Sequence, residues 1–203
     1  MAALGYNATP THALWTRGGF AVQQTPTRTS AVSETIATWI HGAGVLAYVP
    51  PEFDNEPLGP QQYARIYGRR HGWGTQFGPL TGTCERWFQI PVPCVPRRGR
   101  RTFLDEIALL FHSNRCGITQ IDFWDGSNKT PYDVRVSPPL SGDHRGLTAK
   151  RDEALNRWQP RDPTGDMFPV RSALNISVQV MFDAIGGSGA ITFSSVGVRF
   201  TLQ

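Results

Sequence analysis

Long apolar runs are missing from this 203-residue sequence, and so are the marks of a secretory signal. No stretch approaches the ~20 apolar residues that a membrane-spanning helix needs, so we expect no membrane partner. Residues 1–7 lack both the basic region and the long apolar region of a cleaved signal peptide. The sequence therefore predicts a protein that is cytoplasmic or is released without a cleaved signal.

Catalytic fingerprints are also missing. The sequence contains no G-x-S-x-G, no H-E-x-x-H, no phosphate-binding loop and no dinucleotide-binding motif. It also lacks the H-x-H spacing that places two imidazoles on one face of a strand. We therefore predict no catalytic residue, no metal site and no cofactor, and a function that does not depend on catalysis.

Cysteine is scarce, with three residues at positions 84, 94 and 116. Their number is odd and their spacing does not match a metal site, so each is read first as a small buried apolar residue. A bridge between Cys84 and Cys94 across a hairpin is the alternative, which the missing secretion signal disfavours.

Lysine is rarer still, and the positive charge is carried by arginine. The densest cluster is a basic loop formed by Arg97, Arg98, Arg100 and Arg101, next to Pro96. Such a loop can bind phosphate, nucleic acid or an acidic neighbouring subunit. We favour a solvated turn that protects a strand edge, and a nucleic-acid partner is disfavoured because no long basic tail accompanies the loop.

Glycine and proline are abundant, with 21 and 16 residues, and they divide the chain every dozen residues or so. This spacing is typical of many short strands joined by turns. It predicts an all-β fold, a two-sheet antiparallel β-sandwich of jelly-roll or Greek-key topology. At most one short helix is expected, at residues 148–158, where apolar and charged residues alternate with helical spacing.

The clearest strand is residues 174–182, where apolar side chains alternate with polar ones. Residues 191–200 change phase midway, and a bulge near Ser194 and Ser195 would restore one inward face. The two segments predict a C-terminal hairpin. Further strands are expected at four places: residues 35–49, 85–92, 102–112 and 118–124.

One motif occurs twice. Residues 13–22 and 37–46 share the pattern A-x-W-x-[RH]-G-[GA], followed by a short apolar stretch. We therefore divide the chain into an N-terminal arm (residues 1–34) and one sandwich domain (residues 35–203). The first copy is a candidate strand for pairing with the sheet edge of a neighbouring subunit. The residues of this predicted assembly arm are Trp15, Thr16, Arg17, Gly18, Phe20 and Val22.

Two pairs of residues are candidates for ligand binding. Asp122 and Asp125 flank Trp124, and carboxylates beside an aromatic ring are typical of sugar-binding faces. The simpler interpretation places Trp124 in the core and Asp125 in a turn with Gly126. Tryptophans beside glycines, such as Trp39 and Trp73, are likewise expected to pack in the core.

The second pair is Asp143 and His144, because an aspartate can orient an imidazole or help to bind a metal. Neighbouring residues in a strand point in opposite directions, and prolines and glycines surround the pair. A structural turn, in which Asp143 caps backbone N–H groups, is therefore the favoured interpretation.

From residue 37 onward the chain resembles an uncharacterised bacterial and fungal family of small β-rich proteins, known as a domain of unknown function. The resemblance spans about four-fifths of the chain. It implies a β-sandwich and no particular activity, and residues 1–30 are an addition to the family pattern. The matching stretches are W-I-H-G at 39–42, G-W-G-T at 72–75, W-F-Q-I-P-V-P at 87–93, F-W-D-G at 123–126, S-G-D-H at 141–144, and the strands at 176–178 and 191–193 with Gly197.

Three functional hypotheses follow. The favoured one is a non-enzymatic structural protein that self-assembles into a homo-oligomer, shell or filament, with the arm adding a strand to its neighbour. The alternative is a carbohydrate-binding, lectin-like module with a glycan partner, using exposed tryptophans with Asp125 or Asp143. The third is a cupin-like metal enzyme that would gather His41, His71 and His144.

Overall fold

The structure is a computed structural model of the chain. It describes residues 33–49, 59–80, 84–93, 100–146, 155–161, 164–183 and 188–203. These residues belong to one compact unit, Val32–Gln203. The predicted assembly arm, including Trp15 to Val22, lies outside the described residues.

The described ranges are built from strands, as the glycine and proline spacing predicts. The strands are β1 (Glu34–His41), β2 (Leu46–Ala47), β3 (Arg69–His71), β4 (Gly74–Phe77), β5 (Glu85–Val92), β6 (Thr102–Asn114), β7 (Cys116–Asp125), β8 (Asn128–Leu140), β9 (Asp143–His144), β10 (Arg157–Trp158), β11 (Phe168–Val170), β12 (Leu174–Phe182) and β13 (Ala190–Leu202). A 3-10 turn covers Gly42–Gly44, and the helix α1 covers Pro60–Tyr67. No described helix is long and apolar enough to cross a membrane.

The strands form two antiparallel sheets. An eight-stranded sheet contains β10-β6-β13-β4-β3 in that order, with β1 beside β13 and with β9 and β11 beside β6. A five-stranded sheet has the order β2-β5-β12-β7-β8. The apolar faces of both sheets contribute to one buried core. The predicted all-β sandwich is confirmed.

The predicted helix at residues 148–158 is wrong in its described part. Leu155 lies in a turn with its side chain 70% exposed, and Arg157–Trp158 form strand β10. Pairing with β6 overrides the local helical pattern, because Arg157 and Trp158 face Ala108 and Ile107. Trp158 does pack against the core, as predicted.

The described helix forms instead at Pro60–Tyr67, where a buried arginine holds it. Arg86 of β5 faces the sandwich interior and donates to the backbone oxygen of Ile66, at 2.8 Å, and of Gly78, at 2.7 Å. Burial lowers the pKa of the Arg86 guanidinium to about 10. The side chain thereby joins the end of α1 to Gly78, the residue that follows β4.

The predicted C-terminal hairpin is wrong, although both of its strands exist. β12 pairs with β5 and β7 in the five-stranded sheet, whereas β13 pairs with β1, β4 and β6 in the other sheet. The predicted bulge is confirmed, since the register of β13 against β6 shifts between Phe193 and Ser195. It restores the inward face, on which Phe193 and Val196 are both buried.

A second bulge places two acidic residues side by side on the outer face of β6. The register shifts between Arg199 and Phe200, so Asp105 joins Glu106 on that face. Asp105 accepts from Arg199, at 2.6 Å, and from Arg161, at 2.8 Å. Burial raises the pKa of Asp105, but hydrogen bonds and charge from Arg161 and Arg199 outweigh it, so the pKa is lowered overall.

Replacing Asp105 by asparagine is expected to lower the unfolding free energy at pH 7 by about 1 to 3 kcal/mol. A carboxylate with a lowered folded-state pKa stabilises the fold above its unfolded pKa of ~3.9, and this contribution is lost as pH falls through the folded value. The wild type should therefore lose stability below about pH 4 more steeply than Asp105→Asn.

Urea unfolding at pH 7 and at pH 3 measures both effects. The exposed Asp183→Asn is the control, with an expected change under about 0.5 kcal/mol at pH 7. Equal pH dependence in the wild type and Asp105→Asn would contradict the role of this ion network.

Candidate functional site

The outer face of the five-stranded sheet carries an unusual band of polar side chains. Phe88 and Ile90 of β5 point into the core, so Trp87 and Gln89 point outward. Gln89 pairs in register with Ser177 of β12, and Ser177 pairs with Asp122 of β7. Three neighbouring strands thus present amide, hydroxyl and carboxylate groups side by side.

Aromatic side chains surround this band and form a groove of about 240 Å³. The groove wall includes Trp87 of β5, Trp124 of β7 and Tyr48, which follows β2. The backbone N–H of Tyr48 donates to the oxygen of Trp87 at 2.8 Å, which holds the two aromatic residues together at the sheet edge. We call this feature the aromatic groove; it is lined by Tyr48, Trp87, Gln89, Asp122, Trp124 and Ser177.

The floor of the aromatic groove is a hydrogen-bonded network. The Gln89 side-chain oxygen accepts from Asn175 at 2.5 Å and from Ser177 at 2.7 Å. Gln120 donates to the Asp122 carboxylate at 2.6 Å. Because the side-chain oxygen of Gln89 accepts from both donors, the N–H₂ group of Gln89 points away from them. This N–H₂ group has no hydrogen-bond partner among the described residues.

One donor at the aromatic groove is buried without a partner. The indole Nε1 of Trp124 is inaccessible to solvent and makes no hydrogen bond within the described ranges. The corresponding atom of Trp87 donates to Glu85 at 3.1 Å. Buried N–H groups nearly always have partners, so this unsatisfied indole N–H is unusual.

Trp124 was predicted as a ligand residue, with the core as the simpler alternative, and it lies half-buried in the aromatic groove. Asp125 does not line the groove. Its carboxylate accepts from the backbone N–H of Arg171, at 3.0 Å, and of Ser172, at 2.9 Å, and from the Ser172 hydroxyl. Burial raises the pKa of Asp125, but these hydrogen bonds from Ser172 and Arg171 lower it overall. Asp125 therefore organises a turn.

Asp143 and His144 lie on β9 in the other sheet, so the structure does not bring them to Trp124. Asp143 accepts from the backbone and the guanidinium of Arg145, and this exposed pairing lowers the pKa of Asp143. His144 Nε2 lies 3.0 Å from the oxygen of Ser141, and its ring packs 5.0 Å from that of Phe111. The predicted capping turn agrees with this geometry.

His41 makes hydrogen bonds to nearby backbone groups. His41 Nδ1 accepts from the backbone of Ala43 at 3.1 Å, and its Nε2 lies 3.2 Å from the oxygen of Gly72. In the described part of the chain, no three histidine, cysteine or carboxylate residues cluster closely enough to hold a metal ion. The cupin-like hypothesis therefore has no candidate site within these ranges.

Trp39 and Trp73 were expected in the core, and that expectation is wrong. Their side chains are 50% and 53% exposed. Trp39 lies against Gly197 of the neighbouring strand, where a Cβ atom would come within 2.7 Å of the ring. Trp73 stacks on His71 at 5.1 Å. Gly197 does allow the Trp39 ring to pack on the backbone, as expected. The contact lies on the outer face of the eight-stranded sheet and not in the core.

The cysteines behave as separate thiols where they are described. Cys84 is free and exposed, so the alternative of a Cys84–Cys94 bridge is wrong; Cys94 itself lies outside the described residues. Cys116 is buried as predicted, and burial raises the pKa of its thiol to about 12. Such a thiol is a poor nucleophile at neutral pH.

Of the basic loop, Arg97 and Arg98 lie outside the described residues. Arg100 pairs with Glu34 at 2.9 Å, and Arg100 and Arg101 line a second cleft with Arg171.

Apart from Trp124 and Asp122, the residues of the aromatic groove were not predicted. The available signal was the polar phase of the strand at 174–182 and the matching phase at 85–92, which place Ser177 and Gln89 on an outer face.

No family model and no curated protein matches the chain. Among solved structures, a carbohydrate-binding module, CBM36, in complex with calcium and xylotriose matches with 6% sequence identity and a TM-score of 0.32. The match covers 82% of this chain and 99% of the module. Because the TM-score is this low, the likeness carries no argument about this chain. The resemblance to a domain-of-unknown-function family stays a prediction.

Proposed function

We propose that the sandwich is a glycan-binding module that holds a sugar in the aromatic groove. The observation that carries this proposal is the combination of three aromatic side chains with a polar floor from three adjacent strands. Aromatic rings stack on the apolar faces of sugar rings, and hydroxyl groups need closely spaced donors and acceptors. Both requirements are met on one sheet face.

The polar groups of the groove suit sugar hydroxyls. The Gln89 N–H₂ group is a donor without a described partner, and the Asp122 carboxylate and the Ser177 hydroxyl carry acceptor oxygens. These groups are the donors and acceptors that sugar hydroxyls require.

The size of the groove sets how much ligand it holds. Pockets for drug-sized molecules begin at roughly 300 Å³, and this groove measures about 240 Å³. It is open at the surface of a sheet, so a longer chain would extend beyond it with one or two sugar rings in contact. The expected ligand is therefore an oligosaccharide or polysaccharide, held with the modest affinity of a small contact area.

Replacing Trp87 by alanine is expected to weaken glycan binding at least tenfold, about 1.4 kcal/mol. The change removes a groove wall without touching the core, because Trp87 lies on the outer face. The test screens neutral xylo-, cello-, manno- and chito-oligosaccharides by isothermal titration calorimetry and then compares variants on the best ligand.

Trp73→Ala is the matched control, because Trp73 is equally large and half exposed but lies on the β3–β4 turn of the other sheet. Its affinity should equal that of the wild type. Binding of no oligosaccharide in the panel, or equal losses in both variants, would contradict a sugar site in the groove.

Self-assembly through the N-terminal arm stays a prediction, because the arm residues lie outside the described ranges. The homo-oligomer that it implies has no described contact to support it.

A further inference from the structure

A second cleft lies where the start of β6 pairs with β11, and its walls carry three arginines. The cleft measures about 560 Å³ and is lined by residues that include Arg100, Arg101, Thr102 and Arg171. Thr102 faces Val170 in the register of the two strands, so the arginines before Thr102 and after Val170 flank one end of this strand pair. We call it the arginine cleft.

The charge of the arginine cleft is not neutralised by its walls. Arg100 pairs with Glu34, but no described residue forms an ion pair or hydrogen bond with the side chain of Arg101 or Arg171. The nearby carboxylate of Asp125 is occupied by backbone N–H groups and the Ser172 hydroxyl. Two guanidinium groups at one cleft therefore offer unused donors.

The register supports the same conclusion, because Arg101 directly precedes Thr102 and Arg171 directly follows Val170, so the two arginines are neighbours across the strand pair. The side chain of Thr102 itself is 7% exposed and points to the inner face of β6 with that of Leu104, so it is not part of the proposed site. Two guanidinium groups at one cleft match the oxygens of a tetrahedral anion.

We propose that the arginine cleft is an oxoanion site that takes a sulfate or phosphate group. Arg101 and Arg171 supply charge-assisted hydrogen bonds to its oxygens. The site is separate from the aromatic groove, whose walls carry no arginine among the described residues. The group is either a free inorganic ion or an ester on a polymer.

The test titrates inorganic sulfate and inorganic phosphate into the full chain at constant ionic strength, followed by calorimetry and by the arginine Nε resonances in NMR. The double variant Arg101→Ala/Arg171→Ala is expected to lose binding at least tenfold. Thr102→Val should bind as the wild type does, because the Thr102 side chain points to the inner face of β6. Arg70→Ala is the control, since Arg70 is exposed on β3 away from the cleft, and it should bind as the wild type does.

Dextran sulfate and unmodified dextran distinguish the two sources of the anion. Dextran sulfate that binds more tightly than the inorganic ion, and is displaced by excess inorganic sulfate, identifies an ester on a polymer; binding of the inorganic ion alone identifies a free anion. Absence of any anion binding would overturn the proposal, and so would equal losses in the double variant and Arg70→Ala. Binding of neutral sugars should be the same in all these variants, so this outcome is independent of the aromatic groove.

Discussion

Replacing Gly42 by alanine is expected to lower the unfolding free energy by about 3 kcal/mol or more, because the added methyl group would make the shortest contact of any described glycine. A Cβ atom at Gly42 would lie 1.8 Å from the carbonyl oxygen of Phe193 and 2.6 Å from its carbonyl carbon. Both are backbone atoms of the central strand β13, next to its bulge, so neither can move aside as a side chain would.

Gly72→Ala is the matched control, because no heavy atom lies within 4 Å of a Cβ atom there. Its expected effect is within about 0.5 kcal/mol. Urea unfolding followed by tryptophan fluorescence compares both variants with the wild type. Similar stabilities for Gly42→Ala and Gly72→Ala would show that the contact between the turn and β13 is not as tight as described.

Replacing Phe88 by alanine is expected to destabilise the protein by about 3 to 5 kcal/mol. The Phe88 ring lies at the centre of the core, 4.8 Å from the ring of Phe77 and 5.3 Å from that of Phe193. Phe88 belongs to the five-stranded sheet and the other two belong to the eight-stranded sheet. The lost ring would leave a cavity at the contact between the two sheets.

Phe88→Leu should recover more than half of that loss, because leucine fills most of the space. Tyr63→Ala, on the exposed face of the helix, serves as a control for aromatic loss alone and should change stability by less than about 1 kcal/mol. Chemical denaturation gives all three values. A loss below about 1 kcal/mol in Phe88→Ala would contradict the central position of this ring.

The period-two pattern was a sound guide wherever one strand face is buried. Residues 85–92 and 174–182 form strands with the predicted bounds, and the bulge near Ser194 follows from the change of phase. The pattern predicts these strands because the alternation of apolar and polar side chains records which face of a strand is buried. Turning the apolar face of a whole strand to solvent would cost more free energy than any local conformational preference supplies. The strand at 102–112 also follows from its continuous apolar run, since Ile107, Ala108 and Leu109 are all buried.

Strand partners could not be read in the same way. Gly186 and Gly187 suggested a hairpin between neighbouring strands, but β12 and β13 lie in different sheets. Alternation looks the same for a strand in either sheet, so the choice depends on pairing with residues far away in the chain. The helix was misplaced for a similar reason, because β10 exists only through its pairing with β6.

The candidate site was only partly predictable. Trp124 and Asp122 stood out in the sequence because an aromatic ring and a carboxylate are informative residue types. Gln89 and Ser177 did not, because each is an ordinary polar residue until β5, β12 and β7 are aligned. Asp125 looked like a ligand residue, yet its carboxylate is used by the backbone of the next turn.

By itself, the sequence determined the all-β class, the inward and outward faces of the main strands, and the burial of Cys116, because these depend on the local pattern of apolar side chains. Only the tertiary structure decided which strands share a sheet, and therefore which polar side chains meet in the aromatic groove and which arginines meet in the cleft. The physical reason is that hydrogen bonding between strands joins residues as distant as Gln89 and Ser177, and no local interaction records that pairing.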